Sequence, residues 1–317
     1  MQDAVRRWYQ ERTYRSAEFD LAELCARREV SVSVVIPARN EAGTVAHVVS
    51  LIRRELGGLV DELVVIDSDS TDDTAVLAQR AGAVVHAARE IDTGHGPLPG
   101  KGEALWKSLF VTSGDLLVFI DADLTEWGPH FVTGLIGPLL VSENTLLVKG
   151  FYDRLADELP DAVGEALPQG GRVTELVARP LLNLYWPELS AVVQPLAGEW
   201  AVRRSLIETL SVPVGYGVEL ASLLDTSNLH GVDAIAQVDL GRRGHRHQNV
   251  HDLGVMAAEI LATALRRLPG DAVDIVAPTG LLHQFDRTTE GRWREREVPL
   301  AERPPAVLNE HYRSPGC

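Results

Sequence analysis

Three short runs of apolar, mostly β-branched residues set what this chain can fold into. Residues 31–37 (S-V-S-V-V-I-P), 62–67 (E-L-V-V-I-D) and 116–120 (L-L-V-F-I) are dominated by Val, Ile and Leu, so each reads as a buried strand. Pro37 stops the first, and the acids Asp67 and Asp121 stop the other two. Between them the pattern is helical. Asn40-Glu41-Ala42-Gly43-Thr44 opens a helix through about Leu56. Ser70-Thr71-Asp72-Asp73 caps the next, with two aspartates in its first turn where the helix dipole favours them. Residues 83–86 make another short strand, 94–102 a Gly/Pro-rich loop and 103–112 a further helix. This β-α-β-α-β-α-β order implies an α/β fold with a mostly parallel central sheet and helices on both faces. Ligands of such sheets bind beyond the carboxyl ends of the strands, where the loop after Pro37, Asp67 and Asp121 all fall.

The second half is less regular. Residues 145–150 read as a strand, 157–171 as a polar loop and 173–185 as a helix. Gly215-Tyr216-Gly217 punctuates before a helix over 218–229. A strand over 233–240 leads into the basic run Arg242-Arg243-Gly244-His245-Arg246-His247, and an amphipathic helix spans 253–268. Residues 1–30 are expected to form a surface helix. From Arg287 onward the chain is charged and Pro-rich, a mobile or partner-packed tail.

Charge narrows the partners. With 45 acidic and 30 basic residues the formal net charge is -15, which repels nucleic acid and anionic lipid. An anionic substrate would need a local basic site, and Lys101, Arg172 and Arg243 are the candidates. No run of 18 apolar residues suggests a membrane span, and the N-terminus has no apolar signal core. Cys25 and Cys317 are the only cysteines, which fits a reducing cytoplasm rather than a disulfide framework.

The strongest local signal is Phe119-Ile120-Asp121-Ala122-Asp123. A strand delivers two carboxylates, one small residue apart, into a loop. Two hard oxygen ligands can hold a divalent cation that also binds phosphates and neutralises a departing diphosphate. Taken alone, the same pattern is also a strand end followed by solvated acids. Pro37 to Glu41 and Asp67 to Asp73 sit at the ends of the neighbouring strands, suited to a nucleoside contact, though each also reads as a capped helix start. Gly170-Gly171-Arg172 lets backbone approach an anion closely and adds a guanidinium fork before a helix N-terminus, or is a Gly turn before an ordinary helix. Lys101, between Gly100 and Gly102, is exposed on a flexible loop, where a lone lysine usually faces solvent. Glu219 could bind sugar hydroxyls, or is a helix-face acid pairing with a nearby base, and Trp106 and Trp200 read as core.

The three strand-end segments, in this order and spacing, resemble the family-2-like nucleotide-sugar transferases of the GT-A fold. Pro99-Gly100-Lys101-Gly102-Glu103-Ala104-Leu105-Trp106, residues 170–182 (G-G-R-V-T-E-L-V-A-R-P-L-L), Gln194-Pro195-Leu196-Ala197-Gly198-Glu199, residues 213–219 and residues 233–238 further resemble the glucosyl-3-phosphoglycerate synthases, colinearly from about residue 31 to 270. That resemblance implies a division into an N-terminal helical segment (1–30), a nucleotide-sugar half (31–150), an acceptor half (151–285) and a polar tail (286–317). It implies donor contacts from Pro37, Ala38, Glu41, Ser68, Lys101, Asp121 and Tyr216. Asp121, Asp123 and His245 would hold Mg2+ or Mn2+, with Asp123 the direct ligand. Gly171, Arg172, Val173 and Thr174 would bind the acceptor phosphate. Lys101, Asp123, Leu196, Glu219 and Arg243 would form the catalytic set.

The activity so implied is transfer of glucose from a nucleoside-diphosphate glucose to 3-phosphoglycerate, with retention at the anomeric carbon, by a homodimer. No carboxylate is assignable as a covalent nucleophile, so same-face attack is the working mechanism. Arg39, Ala122, His247 and the loop over 157–169 depart from the family pattern. Donor base, glucose against mannose and the exact acceptor therefore stay open. The alternatives are a mannosyl-3-phosphoglycerate synthase or dual-specificity enzyme, a polyprenyl-phosphate glycosyltransferase, and a nucleotide-sugar binding protein without turnover.

Overall fold

The computed structural model describes residues 2–155, 171–244, 250–268, 280–285 and 293–313. The chain opens with α1 (Gln2–Arg12), a short strand β1 (Thr13–Arg15) and α2 (Leu21–Arg27). The expected alternation follows: β2 (Val32–Ala38), α3 (Val45–Leu56), β3 (Glu62–Asp67), α4 (Thr74–Ala81), β4 (Val84–Ala87), α5 (Lys101–Ser108) and β5 (Leu116–Phe119). Then come α6 (His130–Val141), β6 (Leu147–Leu155), α7 (Arg179–Tyr185), β7 (Trp200–Arg203), α8 (Arg204–Ile207), β8 (Val212–Pro213), α9 (Val218–His230), β9 (Ile235–Gly244) and α10 (Val250–Leu265). The paired strands β10 (Leu281–Phe285) and β11 (Trp293–Glu297), and β12 (Glu302–Arg303), end the order.

The central sheet has eight strands in the order β1-β9-β6-β7-β5-β2-β3-β4. Every neighbouring pair is parallel except those of β7, which runs antiparallel to both β5 and β6. That reversal matters for the site. Trp200 at the start of β7 pairs with Phe119 at the end of β5. Residues 194–199 therefore arrive at the edge where the parallel strands end.

Strand periodicity divides the core in two. Val34, Ile36, Leu63, Val65, Leu116 and Val118 face one layer with α3 and α6. Val35, Val64, Ile66, Leu117 and Phe119 face the other with α5 and α9. Trp106 and Trp200 are fully buried in the second layer, as expected of core residues.

Several elements differ from the sequence reading. Residues 1–30 are not one surface helix: Trp8 is buried and β1 extends the sheet edge beside β9. The helix expected from Asn40 begins at Val45, because Asn40 is left-handed at φ 57 and the segment forms a turn. Asp72 and Asp73 precede α4 rather than occupy its first turn, and Asp72 accepts from the Thr74 and Ala42 backbone N–H groups at 3.0 and 3.2 Å. The helix over 173–185 contains a π turn at Thr174–Ala178. Arg242 and Arg243 belong to β9, not to a basic loop. The tail from Ala301 to Tyr312 packs on the chain itself, with Arg303, Ala306, Asn309 and Tyr312 buried. The polar loop over 157–169 and Gly170 lie outside the described residues.

Candidate active site

The carboxyl edge of the sheet gathers the candidate residues because the parallel strands all end there. The first two loops are laced together. The Ser68 backbone N–H donates to Ala38 O at 2.9 Å. Asn40 Oδ1 accepts from the Thr71 backbone N–H at 2.8 Å, the Asn40 N–H donates to Ser70 Oγ at 3.0 Å, and the Glu41 N–H donates to Thr74 Oγ1 at 2.7 Å. The loop carrying Pro37, Ala38 and Glu41 is thus held by the one carrying Ser68. Both belong to one hydrogen-bonded shelf rather than to two independent helix caps.

Beside that shelf lies a connected ion-pair network. Lys101 is the first residue of α5, not a member of a flexible loop, and its side chain is only 17% exposed. Its Nζ donates to Asp121 Oδ1 at 2.6 Å and sits 2.9 Å from Glu219 Oε1, a buried carboxylate in the first turn of α9. Burial alone would push the Lys101 ammonium down, but Asp121 and Glu219 overcome it and hold it well above the ordinary lysine value. Asp121 is the complement: burial opposes its charge, and Lys101 and Arg243 still pull its carboxyl below the usual range.

Arg243, near the end of β9, is buried. Its Nη2 lies 3.2 Å from Asp121 Oδ2 and 2.8 Å from Asp123 Oδ1, and its Nη1 donates to Tyr152 Oη at 2.6 Å and to Glu199 Oε2 at 3.2 Å. Burial works against this guanidinium charge, and the facing carboxylates and phenol more than restore it. Glu199 is fully buried just ahead of β7, and burial raises its carboxyl. A side chain at Gly198 would place a Cβ 2.3 Å from Asp121 Oδ2, so only glycine lets Asp121 sit there. Lys149 is buried under the same network. It donates to Ala197 O at 2.7 Å, faces the Trp200 ring at 5.5 Å, and burial pushes it down to about 8.

The structure therefore brings Lys101, Asp121, Asp123, Glu219 and Arg243 together. Leu196 is half-buried in the segment just ahead of Ala197. Tyr216 is exposed on the turn before α9. Gly171 and Arg172 are respectively half-buried and exposed, and Val173 and Thr174 are buried at the head of the helical stretch containing the π turn, a distortion common at functional sites. His245 lies outside the described residues. Among those described, no group of three His, Cys, Asp or Glu side chains forms a metal cluster. The donor set nevertheless suits a hard cation: one cationic nitrogen, Arg243 Nη2, is gripped by both carboxylates at once.

Lys149, Glu199 and Glu259 were not legible as site residues. Glu259 of α10 is buried, and its Oε2 accepts from the Tyr216 backbone N–H at 2.6 Å. Burial raises it to about 7, with the nearby Glu219 adding to the shift.

Comparison with known proteins gives this geometry a lineage. Residues 33–178 match the family model for glycosyl transferase family 2. The glucosyl-3-phosphoglycerate synthase of Mycolicibacterium smegmatis is 45% identical over 300 residues, covering 94% of this chain and 97% of that one. The chain belongs to the glucosyl-3-phosphoglycerate synthase family. The Mycobacterium tuberculosis synthase in complex with Mn2+ and uridine-diphosphate-glucose superposes with a TM-score of 0.81 at 43% identity, covering 92% of this chain and 95% of that chain. The same synthase with Mn2+, uridine-diphosphate and phosphoglyceric acid gives a TM-score of 0.81 at 44% identity over the same shares. The fold is thus the GT-A-like fold of these synthases. No helix among the described residues is long and apolar enough to cross a membrane.

Glu259 generates a test. Its folded value of about 7 exceeds the ordinary 4.5. Between these values the unfolded chain ionises the group while the folded chain keeps it protonated, so its contribution to stability falls as pH rises through that window. Glu259→Gln retains an oxygen for the Tyr216 N–H and removes the titration. Urea unfolding of both proteins should show the native chain losing up to about 3 kcal/mol relative to the variant from about pH 4.5 to about pH 7. A stability difference constant across that range would refute the assignment.

Proposed function

We infer that this chain is a metal-dependent glucosyltransferase that moves glucose from UDP-glucose to 3-phosphoglycerate. The observation that carries the reading is the convergence of Asp121, Asp123, Lys101, Glu219 and Arg243 at one sheet edge, in a chain nearly half identical to glucosyl-3-phosphoglycerate synthases. The nucleoside lies on the shelf of Pro37, Ala38, Glu41 and Ser68. Asp121 and Asp123, with His245, hold Mg2+ or Mn2+, with Asp123 the direct ligand. The bound cation supplies charge neutralisation for the leaving diphosphate. Lys101 contacts the diphosphate and sugar. Leu196, Tyr216, Glu219 and Arg243 shape the pocket around the sugar and acceptor. Gly171, Arg172, Val173 and Thr174 receive the acceptor phosphate through backbone N–H groups and a guanidinium fork.

The carboxylates around the pocket bear on stereochemistry. Glu219 is ion-paired to Lys101, Glu199 is fully buried against Arg243, and both aspartates face Arg243. None stands unpaired as a covalent nucleophile. This supports retention by same-face attack, with a donor phosphate oxygen accepting the hydroxyl proton and the protein supplying position and charge. The reading places the enzyme in the cytoplasm as a homodimer, with residues 31–150 as the donor half and 151–285 as the acceptor half.

Three experiments test the reading. Metal-free enzyme with 3-phosphoglycerate should give product from UDP-glucose only after Mg2+ or Mn2+ is restored, and Asp123→Ala should lose more activity than Asp121→Ala. Product from GDP-mannose alone would instead make it a mannosyl enzyme, and nucleotide binding without product under every donor would make it a binder. Arg172→Ala should raise the acceptor KM by about tenfold or more, the loss of a charged hydrogen bond of about 1.5–3 kcal/mol, while donor binding holds. An equal fall in donor affinity would remove Arg172 from the acceptor site. Light scattering should return twice the 34.6 kDa chain mass, and a monomer at micromolar concentration would end the dimer proposal.

A further inference from the structure

The tail bears directly on the active site. From Ala301 to Tyr312 it crosses back over the chain as a strap. Its strand β12 pairs with β8, placing Glu302 opposite Pro213 and Arg303 opposite Val212, and the Val214 N–H donates to Ala301 O at 3.1 Å. Arg303 is buried and grips Glu103 with both arms, Nε to Oε2 at 2.6 Å and Nη2 to Oε1 at 2.7 Å. Its guanidinium lies 5.2 Å from the centre of the Trp106 ring, and Trp106 Nε1 donates to Pro304 O at 2.9 Å. Glu103 in turn accepts from the Leu98 N–H at 3.3 Å and lies 3.7 Å from the buried Lys107 ammonium. Arg303 also donates to Gly96 O, so Gly96 and Leu98 in the loop leading into α5 are both tied to this one pair.

Glu103 stands two residues after Lys101 in the first turn of α5. That turn also rests on the segment that β12 holds. The Glu103 N–H donates to Val214 O at 2.9 Å and the Gly102 N–H to Gly215 O at 3.3 Å. There is no slack between the layers: a Cβ at Gly102 would lie 1.8 Å from Pro213 O, and one at Gly100 2.2 Å from Val214 O. Past Gly215 the same segment runs into α9 and Glu219, the second partner of Lys101. The strap therefore fixes the helix that carries Lys101 and the turn that presents Glu219 to it.

We propose that Arg303 is a positioning residue for Lys101, and that the C-terminal strap is a working part of the donor site. The proposal rests on the donor role of Lys101 given above. Without its bidentate partner, the buried Glu103 carboxylate is left with only the Lys107 ammonium at 3.7 Å and the Leu98 N–H at 3.3 Å, and the first turn of α5 rotates or shifts to reach water. Lys101 Nζ then leaves the place where it meets both Asp121 and Glu219. None of the bonds named for the strap is made by Gly171, Val173 or Thr174, so the defect is expected on the donor side.

The test uses the full chain with Mn2+ present. Arg303→Gln, Arg303→Lys and Lys101→Ala are compared with the native protein for donor and acceptor KM, kcat per folded molecule, and UDP-glucose affinity by calorimetry. Arg303→Lys keeps a charge opposite Glu103 but cannot reproduce the fork, and serves if Arg303→Gln fails to fold. The expected result is a fall of about tenfold or more in donor kcat/KM for Arg303→Gln, a smaller fall for Arg303→Lys, weaker UDP-glucose binding in both, and an acceptor KM within about twofold. A lowered melting temperature with unchanged donor constants in the folded Arg303 variants would overturn the proposal and make the strap merely structural. Equal losses for donor and acceptor would overturn it as well. If Lys101→Ala itself leaves donor binding intact, the donor role of Lys101 fails and the strap proposal falls with it. A donor defect in Lys101→Ala without one in the Arg303 variants removes the strap alone.

Discussion

Asp121 is a largely enclosed carboxylate, its side chain 21% exposed, that two cations hold. Lys101 reaches it from α5 and Arg243 from β9, so a single charge ties the first Rossmann-like half of the sheet to the strands added after it. Removing either cation would leave Asp121 to the other alone, at a site where burial already opposes ionisation. The rest of the site is arranged around that need. Gly198 has no side chain because Asp121 occupies its space, Glu219 takes the second face of Lys101, and Glu199 with Tyr152 takes the second face of Arg243.

The reversal of β7 makes the arrangement possible. In an all-parallel sheet the start of that strand would lie at the opposite edge, some 10 Å or more from the carboxyl ends for a strand of this length. Running antiparallel, β7 begins where β5 ends, so Gly198 and Glu199 meet Asp121 and Arg243 directly. The segment ahead of it, with Leu196 and Ala197, is anchored from below by Lys149 of β6. One strand direction thus converts a nucleotide-binding edge into a pocket with a second wall.

The sequence was informative where chemistry and local pattern coincide. β2, β3 and β5 announce themselves as Val- and Ile-rich runs, and Asp121 and Asp123 stand out because two further polar strand-end segments share their edge of the sheet. Lys101 reads locally as a residue of a flexible loop but is the first residue of α5. The Gly-Lys-Gly context suggests flexibility, whereas Gly100 and Gly102 are there because carbonyls of Pro213 and Val214, more than a hundred residues away, press on them. Lys149 and Glu199 sit in or beside strands, and Glu259 within an amphipathic helix. Nothing local marks them, since their charge states depend on burial and on partners from other elements. The three-residue β1 and the two-residue β8 and β12 are too short for any periodicity and exist only through pairing. The tail differs from its local pattern for the same reason: its composition is that of a solvated segment, but Arg303 and Asn309 find buried partners in Glu103 and Thr93.

A chain with a net charge of -15 can still host two anionic substrates because its site cations are already desolvated and aimed. Lys101, Lys149 and Arg243 are held by Asp121, Asp123, Glu199, Glu219 and the Ala197 carbonyl, so their removal from water is met during folding and not at the moment of binding. In such a poorly solvated place an attraction between charges is several times stronger than at the surface, and a few cations outweigh the diffuse repulsion of acids that face water and are screened by salt. The carboxylates that hold the cations also keep the ligand-free site from carrying unpaired positive charge. The acidic surface and the cationic pocket are therefore compatible: surface charge governs which large polyanions are turned away, and the buried network governs which small ones are received.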